Sequence, residues 1–169
     1  CPDLKNISSD VNVFELYFEG NASHNQAQMN AGPGVTNGKS DIICHFAAIA
    51  NPAEYLSDPY KVIQLDALAA IKIIDIVAKY KKKFIFTSTS EVYGKSSKVP
   101  FAEDDDRMLG STNINRWCYS TSKSLVEHYL FALKKQKRIE FLSYRLFNVY
   151  GPRLTERVVP IFIEKFKKN

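Results

Sequence analysis

The sequence predicts an α/β protein built on a parallel, doubly wound sheet. Apolar segments of strand length alternate with longer helical segments from residue 41 to the chain end. Parallel strands need a crossover connection, and such connections are right-handed. The chain has 169 residues, of which 45% are hydrophobic, so it fits one domain with a sizeable core.

The N-terminal quarter of the chain contains less regular structure. Residues 11–18 (VNVFELYF) are strand-like, whereas the polar, Asn- and Gly-rich segment that follows is typical of a loop. We therefore assign residues 1–40 to a partial N-terminal strand plus an irregular loop. The regular alternation begins with a strand at 41–46 and occupies residues 41–169.

The middle of the chain predicts a long helix and a second strong strand. Turns are expected at Asn51-Pro52 and Asp58-Pro59. Residues 60–80 lack proline and are apolar nearly all round, which predicts a buried helix. The strand KKFIFTSTS follows, and residues 94–117 are polar and irregular.

The C-terminal part repeats this pattern. A helix is predicted over residues 118–137 and a strand over 139–147. NVYGPRL then reads as a loop, and a last helix begins near Arg157 and reaches the chain end.

The net charge of +5 is concentrated in three clusters, KYKKK (79–83), KKQKR (134–138) and KFKK (165–168). Such clusters can bind nucleic acid, but each lies near the end of a predicted helix, where cations favour the negative dipole end and solvent. We favour the solvated helix ends and expect no nucleic-acid partner. A mild positive field also suits an anionic small substrate.

Cysteine usage and hydropathy indicate a cytoplasmic location. Cys1, Cys44 and Cys118 are odd in number and widely spaced, so neither a disulfide framework nor a metal site is expected. No apolar run is long enough to span a membrane, and the first residues lack the pattern of a signal peptide.

The stretch YSTSK places Tyr119 and Lys123 on one face of the predicted helix, because residues four apart are neighbours there. The Lys123 ammonium is expected to lower the pKa of Tyr119 toward neutrality. Tyr119 could then take a proton from a substrate hydroxyl while hydride leaves the same carbon. Taken alone, the same spacing also fits an exposed pair on a helix surface.

Two further strands end in polar side chains. FIFTSTSEVYG runs into Thr89, Ser90 and Glu91, and YRLFNVYGPR likewise runs into a polar loop. Ligands of doubly wound sheets bind beyond the carboxyl ends of the strands. A hydroxyl-rich strand end that merely enters a turn is the plainer alternative.

Together, HFAAIANP, TSTSEVYG, YSTSK and FNVYGPR resemble the extended short-chain dehydrogenase/reductases, the nucleotide-sugar epimerases, dehydratases and decarboxylases. The resemblance covers about residues 41–169 and implies that they form the catalytic part of an NAD-binding, Rossmann-like domain. Within that family, STSEVYG and RWCYSTSK look most like the UDP-glucuronate decarboxylase domain of the bacterial polymyxin-resistance enzyme.

The resemblance implies roles for individual residues. Tyr119 is the base for the sugar C4 hydroxyl, Lys123 tunes it and binds the nicotinamide ribose, Thr89 bonds the substrate near C4, and Glu91 is an acid/base. The implied substrate contacts are Ala50, Tyr55, Ser90, Arg116, Asn148 and Arg157. The implied cofactor contacts are Ala47, Ala48, Tyr119, Lys123 and Asn21.

The resemblance also implies NAD as cofactor, a UDP-sugar substrate and a homodimer. Dehydratases of the family carry Asp-Glu where this chain has Ser90-Glu91, and simple epimerases usually have a small or hydroxyl residue at Glu91. UDP-glucuronate decarboxylation is therefore the leading hypothesis. A UDP-hexose 4-epimerase and a non-catalytic, dehydrogenase-like binding module are the alternatives.

The glycines of AGPGVTNGKS (31–40) have the spacing of a pyrophosphate-binding turn, but a strand follows them where the family has a helix. We therefore interpret them as a surface loop. Residues 11–21 match the family's third strand, with Asn21 in the place of its adenine-binding acid. We expect an incomplete sheet without the first strand–helix–strand unit, an open position beside the strand at 41–46, and no C-terminal substrate region.

Overall fold

The computed structural model describes residues 13–15, 40–151 and 158–168, with only the backbone described at 13–15. Its four strands form one parallel sheet in sequence order. They are β1 (Val13–Glu15), β2 (Ile42–His45), β3 (Lys83–Thr89) and β4 (Glu140–Leu146). The predicted α/β, Rossmann-like fold is confirmed.

Helices connect β2 to β3 and β3 to β4, and a further helix follows β4. They are α1 (Pro52–Ser57), α2 (Pro59–Ile63), α3 (Ala70–Lys79), α4 (Cys118–Lys135) and α5 (Val158–Lys167). A π-helical segment, Gln64–Ala69, joins α2 to α3. Two 3₁₀ turns, Ser90–Tyr93 and Asn115–Trp117, follow β3 and precede α4.

Helix α1 stands where the sequence predicts only turns. The Asn51 side chain accepts a hydrogen bond from the backbone N–H of Ala53 at 3.0 Å, and that of Asp58 accepts one from Lys61 at 3.0 Å. Proline occupies the first turn of both helices that follow. The chain does break at Asp58, which lies outside both helices, but an N-cap residue followed by proline also starts a helix, so the sequence analysis missed α1.

The expected open position beside β2 is also wrong for the described part of the chain. Strand β1 pairs directly with β2, with Val13 opposite Ile42 and Glu15 opposite Cys44. A third strand of the family order would lie farther from β2. Pairing β1 with β2 supplies hydrogen-bonding partners to a strand edge that the expected gap would leave bare.

The predicted helix at 60–80 corresponds to α2, the π-helical segment and α3. It is buried on one side only: Ile74 and Val77 are buried, but Tyr60 is 71% exposed and Leu68 is 41% exposed. The prediction of a helix buried all round is therefore wrong. Among the described residues, no helix is both long enough and apolar enough to cross a membrane.

The core lies between one face of the sheet and helices α3 and α4. Its members are Ile43, Ala70, Ile73, Ile74, Val77, Ala78, Phe84, Phe86, Val126, Leu130, Leu133 and Ile139. On the opposite sheet face, Leu142, Tyr144 and Leu146 of β4 remain about half exposed. Helices α3 and α4 thus cover one face, and this packing fixes α4 against β3 and β4.

His45 ends β2 inside this core. It is 1% exposed and lies with its ring centroid about 6 Å from those of Phe84 and Phe86. Neither ring nitrogen has a hydrogen-bond partner among the described residues. Burial first, and the nearby Lys123 charge second, lower the pKa of His45 to about 4.

This burial predicts a pH-dependent stability. The unfolded chain binds a proton at His45 near pH 6.5, whereas the folded protein resists protonation until about pH 4. Stability is therefore lost as the pH falls from about 6.5 to about 4, by about 3 kcal/mol. His45→Leu should lose less stability over this range than the parent in urea unfolding at pH 7 and pH 4.5. Equal acid losses in both proteins would contradict the assignment.

Candidate active site

The carboxyl ends of β2, β3 and β4 lie at one edge of the parallel sheet, where ligands of such sheets bind. Helix α4 reaches this edge through its first turn. The Ser120 hydroxyl donates to the backbone carbonyl of Glu91, just past β3, at 2.6 Å. The start of α4 is thereby fixed against the end of β3.

Lys123 is buried beneath this edge, with only 1% of its surface exposed. Its ammonium donates to the carbonyl oxygen of Thr87 at 2.9 Å and lies 4.7 Å from the centre of the Phe86 ring. Burial lowers the pKa of Lys123 to about 8, and the Asp66 carboxylate opposes this shift. A lysine ammonium has three N–H donors, so two remain beyond the bond to Thr87.

Tyr119 lies one helical turn before Lys123 and is also buried. Its phenol lies beside the Thr89 hydroxyl, which favours the phenolate, and its ring stacks on Tyr55 with centroids 5.5 Å apart. The resemblance gives Tyr119 and Thr89 roles at the same sugar carbon, and the structure brings the two side chains together. Thr89 also accepts the backbone N–H of Glu91 at 3.2 Å, which caps the 3₁₀ turn.

The expected lowering of the Tyr119 pKa does not occur in the ligand-free protein. Burial raises the pKa of Tyr119 to about 12, the hydrogen bond from Thr89 opposes this, and the Asp66 and Glu91 charges add to the rise. The Lys123 ammonium donates its hydrogen bond to the Thr87 carbonyl oxygen and not to the Tyr119 hydroxyl. Spacing along a helix predicts proximity but not the cost of burying a phenolate.

Glu91 and Arg116 form an ion pair at this edge. Nη2 of Arg116 donates to Oε2 of Glu91 at 2.5 Å. The guanidinium also lies 5.4 Å from the ring centres of Tyr55 and Trp117. Arg116 therefore contacts the candidate acid/base.

Asp66 is a site residue that the sequence reasoning missed. It is fully buried in the π-helical segment, and its Oδ1 accepts the backbone N–H of Ile49 at 2.8 Å. Burial raises the pKa of Asp66, while the bond from Ile49 and the charge of Lys123 oppose the shift. Its only sequence signal is weak, because the largely apolar segment 60–80 carries a second carboxylate at Asp75.

The hydrogen bond that Asp66 accepts from Ile49 fixes the loop that follows β2. That loop carries Ala47, which is half-buried, and Ala48 and Ala50, which are exposed. Methyl side chains leave room for a ligand to approach the backbone. Asn148 is exposed just after β4, and Ser90 is half-buried after β3. Asn21 and Arg157 lie outside the described residues.

These residues fit the nicotinamide end of NAD. The Tyr119 hydroxyl and the remaining N–H donors of Lys123 would bind its ribose. The small side chains of Ala47 and Ala48 would let the cofactor approach the backbone of the loop after β2. No group of three His, Cys, Asp or Glu side chains in the described part of the chain is arranged to hold a metal ion.

Comparisons with solved structures show the same architecture. The PbgP3 protein from Burkholderia pseudomallei is 36% identical, with a TM-score of 0.67, over 71% of this chain and 36% of that one. UDP-N-acetylglucosamine 4-epimerase from Methanobrevibacter ruminantium, in complex with UDP-N-acetylmuramic acid, is 27% identical with a TM-score of 0.68. That match covers 76% of this chain and 42% of the epimerase.

A third similar structure is the Bordetella bronchiseptica enzyme WbmH in complex with NAD+, which is 25% identical with a TM-score of 0.60. The match covers 79% of this chain and 41% of WbmH, so the chain spans less than half the length of each of these three proteins. The model of the NAD dependent epimerase/dehydratase family matches residues 33–169. With its strand-end hydroxyls and paired tyrosine and lysine, the chain belongs to the NAD dependent epimerase/dehydratase family.

Proposed function

We propose that this chain forms the catalytic part of an NAD-dependent enzyme that oxidises the C4 hydroxyl of a nucleotide sugar, with UDP-glucuronate decarboxylation as its reaction. The observation that carries the proposal is the proximity of Tyr119 and Thr89 at the carboxyl edge of the sheet, with Lys123 buried one turn farther along α4. Membership of the family and the nucleotide-sugar complex of the similar epimerase support it.

In this proposal, Tyr119 removes the proton of the C4 hydroxyl while Thr89 holds the same oxygen by a hydrogen bond. Bound NAD supplies the acceptor for the C4 hydride and a positive charge near the phenol. That charge is needed because burial keeps Tyr119 protonated in the ligand-free protein, with its pKa near 12. Lys123 fixes α4 against the end of β3 through its hydrogen bond to the Thr87 carbonyl.

Decarboxylation follows from the chemistry of the oxidised sugar. A ketone at C4 of UDP-glucuronate is β to the carboxylate, so loss of CO2 leaves an enolate that the ketone stabilises. In this proposal Glu91 takes up a proton from water and passes it to the enolate carbon, and Arg116 orients the Glu91 carboxylate through their ion pair. The resemblance of STSEVYG and RWCYSTSK to the decarboxylase supports this choice.

A UDP-hexose 4-epimerase is the second candidate, because a 4-epimerase is among the similar structures at 27% identity. Such an enzyme would oxidise C4 with the same tyrosine and return the hydride to the opposite face of the sugar. Assembly as a homodimer, a cytoplasmic location and the contacts of Asn21 and Arg157 remain predictions.

Replacing Tyr119 by Phe tests the base. The ring and its stacking on Tyr55 are kept while the hydroxyl is removed, so turnover of UDP-glucuronate with NAD should fall by about 10²–10⁴-fold. The measurement is CO2 release by the full-length protein. Tyr60→Phe, at an exposed tyrosine, is the matched control and should keep full activity. Full activity in Tyr119→Phe would rule out Tyr119 as the base.

Replacing Glu91 by Gln tests its role as the acid/base of the decarboxylation. In a decarboxylase, the variant should release CO2 at least about 10-fold more slowly, because the acid/base is lost.

The products of the parent protein separate the two candidate reactions. They are compared by chromatography after incubation with UDP-glucuronate and with UDP-glucose. Interconversion of UDP-glucose and UDP-galactose without CO2 release would instead establish the epimerase.

A further inference from the structure

Arg145 on β4 binds three separate parts of the molecule. Its Nε and Nη2 donate to both carboxylate oxygens of Glu127 on α4, at 3.1, 3.2 and 2.7 Å. Its Nη1 donates to the Tyr93 hydroxyl at 3.0 Å and to the backbone carbonyl of Glu103 at 2.7 Å. We call Arg145, Glu127 and Tyr93 the brace.

Glu127 continues the stripe of α4 that carries the candidate base. Tyr119, Lys123 and Glu127 follow one another at intervals of four residues and therefore share one helix face. Glu127 is buried, and the two-pronged geometry of its pairing with Arg145 fixes the direction of both side chains. The hydrogen bonds to Glu127 and Tyr93 raise the pKa of Arg145, so it stays charged.

The other end of the brace holds the turn that carries Glu91. Tyr93 is buried and closes the 3₁₀ turn Ser90–Tyr93, and the Arg145 guanidinium lies 5.0 Å from the centre of its ring. One guanidinium therefore joins the tyrosine-bearing helix to the turn that follows Thr89. The backbone carbonyl of Glu103 adds the loop that covers this turn.

We propose that Arg145 is a positioning residue, which through Glu127 and Tyr93 sets the placement of Tyr119 relative to Thr89 and Glu91. This inference rests on the proposed function and deepens it. A buried ion pair adds little stability over an apolar pair of the same shape, but it imposes a direction on its partners that apolar contacts do not. Misplacing a reacting group by about 1 Å costs about 10²-fold in rate.

The test uses Arg145→Lys and Tyr93→Phe in the full-length protein. Lysine keeps the charge but cannot make the two-pronged bond, and phenylalanine removes one hydroxyl while keeping the ring. We expect kcat to fall by at least about 10-fold in Arg145→Lys and less in Tyr93→Phe, while KM for the nucleotide sugar stays within about 2-fold. This pattern separates positioning from lost substrate binding.

Tyr129→Phe is the matched control. The Tyr129 hydroxyl donates to the Asp75 carboxylate and ties α4 to α3, two residues beyond Glu127 but outside the brace. Its removal should leave kcat and KM unchanged. Hydrogen exchange of the backbone amides at 118–124 and 90–94 gives a second readout that needs no activity. Exchange there should be at least about 10-fold faster in Arg145→Lys and unchanged in Tyr129→Phe.

The outcomes separate the two proposals. A parent protein without C4 oxidation of any nucleotide sugar would sink the proposed function, and the exchange measurement would then decide the brace alone. Unchanged amide exchange in Arg145→Lys would overturn the brace in either case. With an active parent, an unchanged kcat, or equal losses in Arg145→Lys and Tyr129→Phe, would overturn it as well.

Discussion

The hydrogen bond from the Lys123 ammonium to the Thr87 carbonyl is the interaction on which the rest of the site depends. Burying an ammonium is costly, and here the carbonyl, the face of Phe86 and the charge of Asp66 offset part of that cost. The bond joins the first turns of α4 to the last residues of β3. Tyr119, one turn earlier, is thereby brought to Thr89.

Burial shifts four neighbouring groups in the same sense, toward their neutral forms. It raises the pKa values of Asp66 and Tyr119 and lowers those of His45 and Lys123. Lys123 nevertheless remains largely charged at neutral pH, because its pKa stays at about 8. A charged ligand entering at this edge would shift these equilibria together, because each group feels the charge of at least one of the others.

The parallel α/β fold is predictable from the sequence, because it follows from the alternation of strand-like and helical apolar segments. Thr89 is expected at the carboxyl edge of the sheet because it ends a predicted strand. The sequence does not predict Asp66, whose inward direction depends on the π-helical segment. Nor does it predict that Arg116 pairs with Glu91, or that burial raises the pKa of Tyr119. Those properties arise from side chains far apart in sequence, so local patterns carry no signal for them.

The central claim is that burial keeps Tyr119 protonated until a ligand arrives. Its most direct test is a pH titration of ligand-free protein labelled with ¹³C at the tyrosine Cζ atoms, with Tyr119→Phe identifying the resonance. We expect Tyr119 to remain protonated above pH 10, in keeping with a pKa near 12, and added NAD to lower this pKa. A Tyr119 resonance that titrates below pH 10 in the absence of NAD would contradict it.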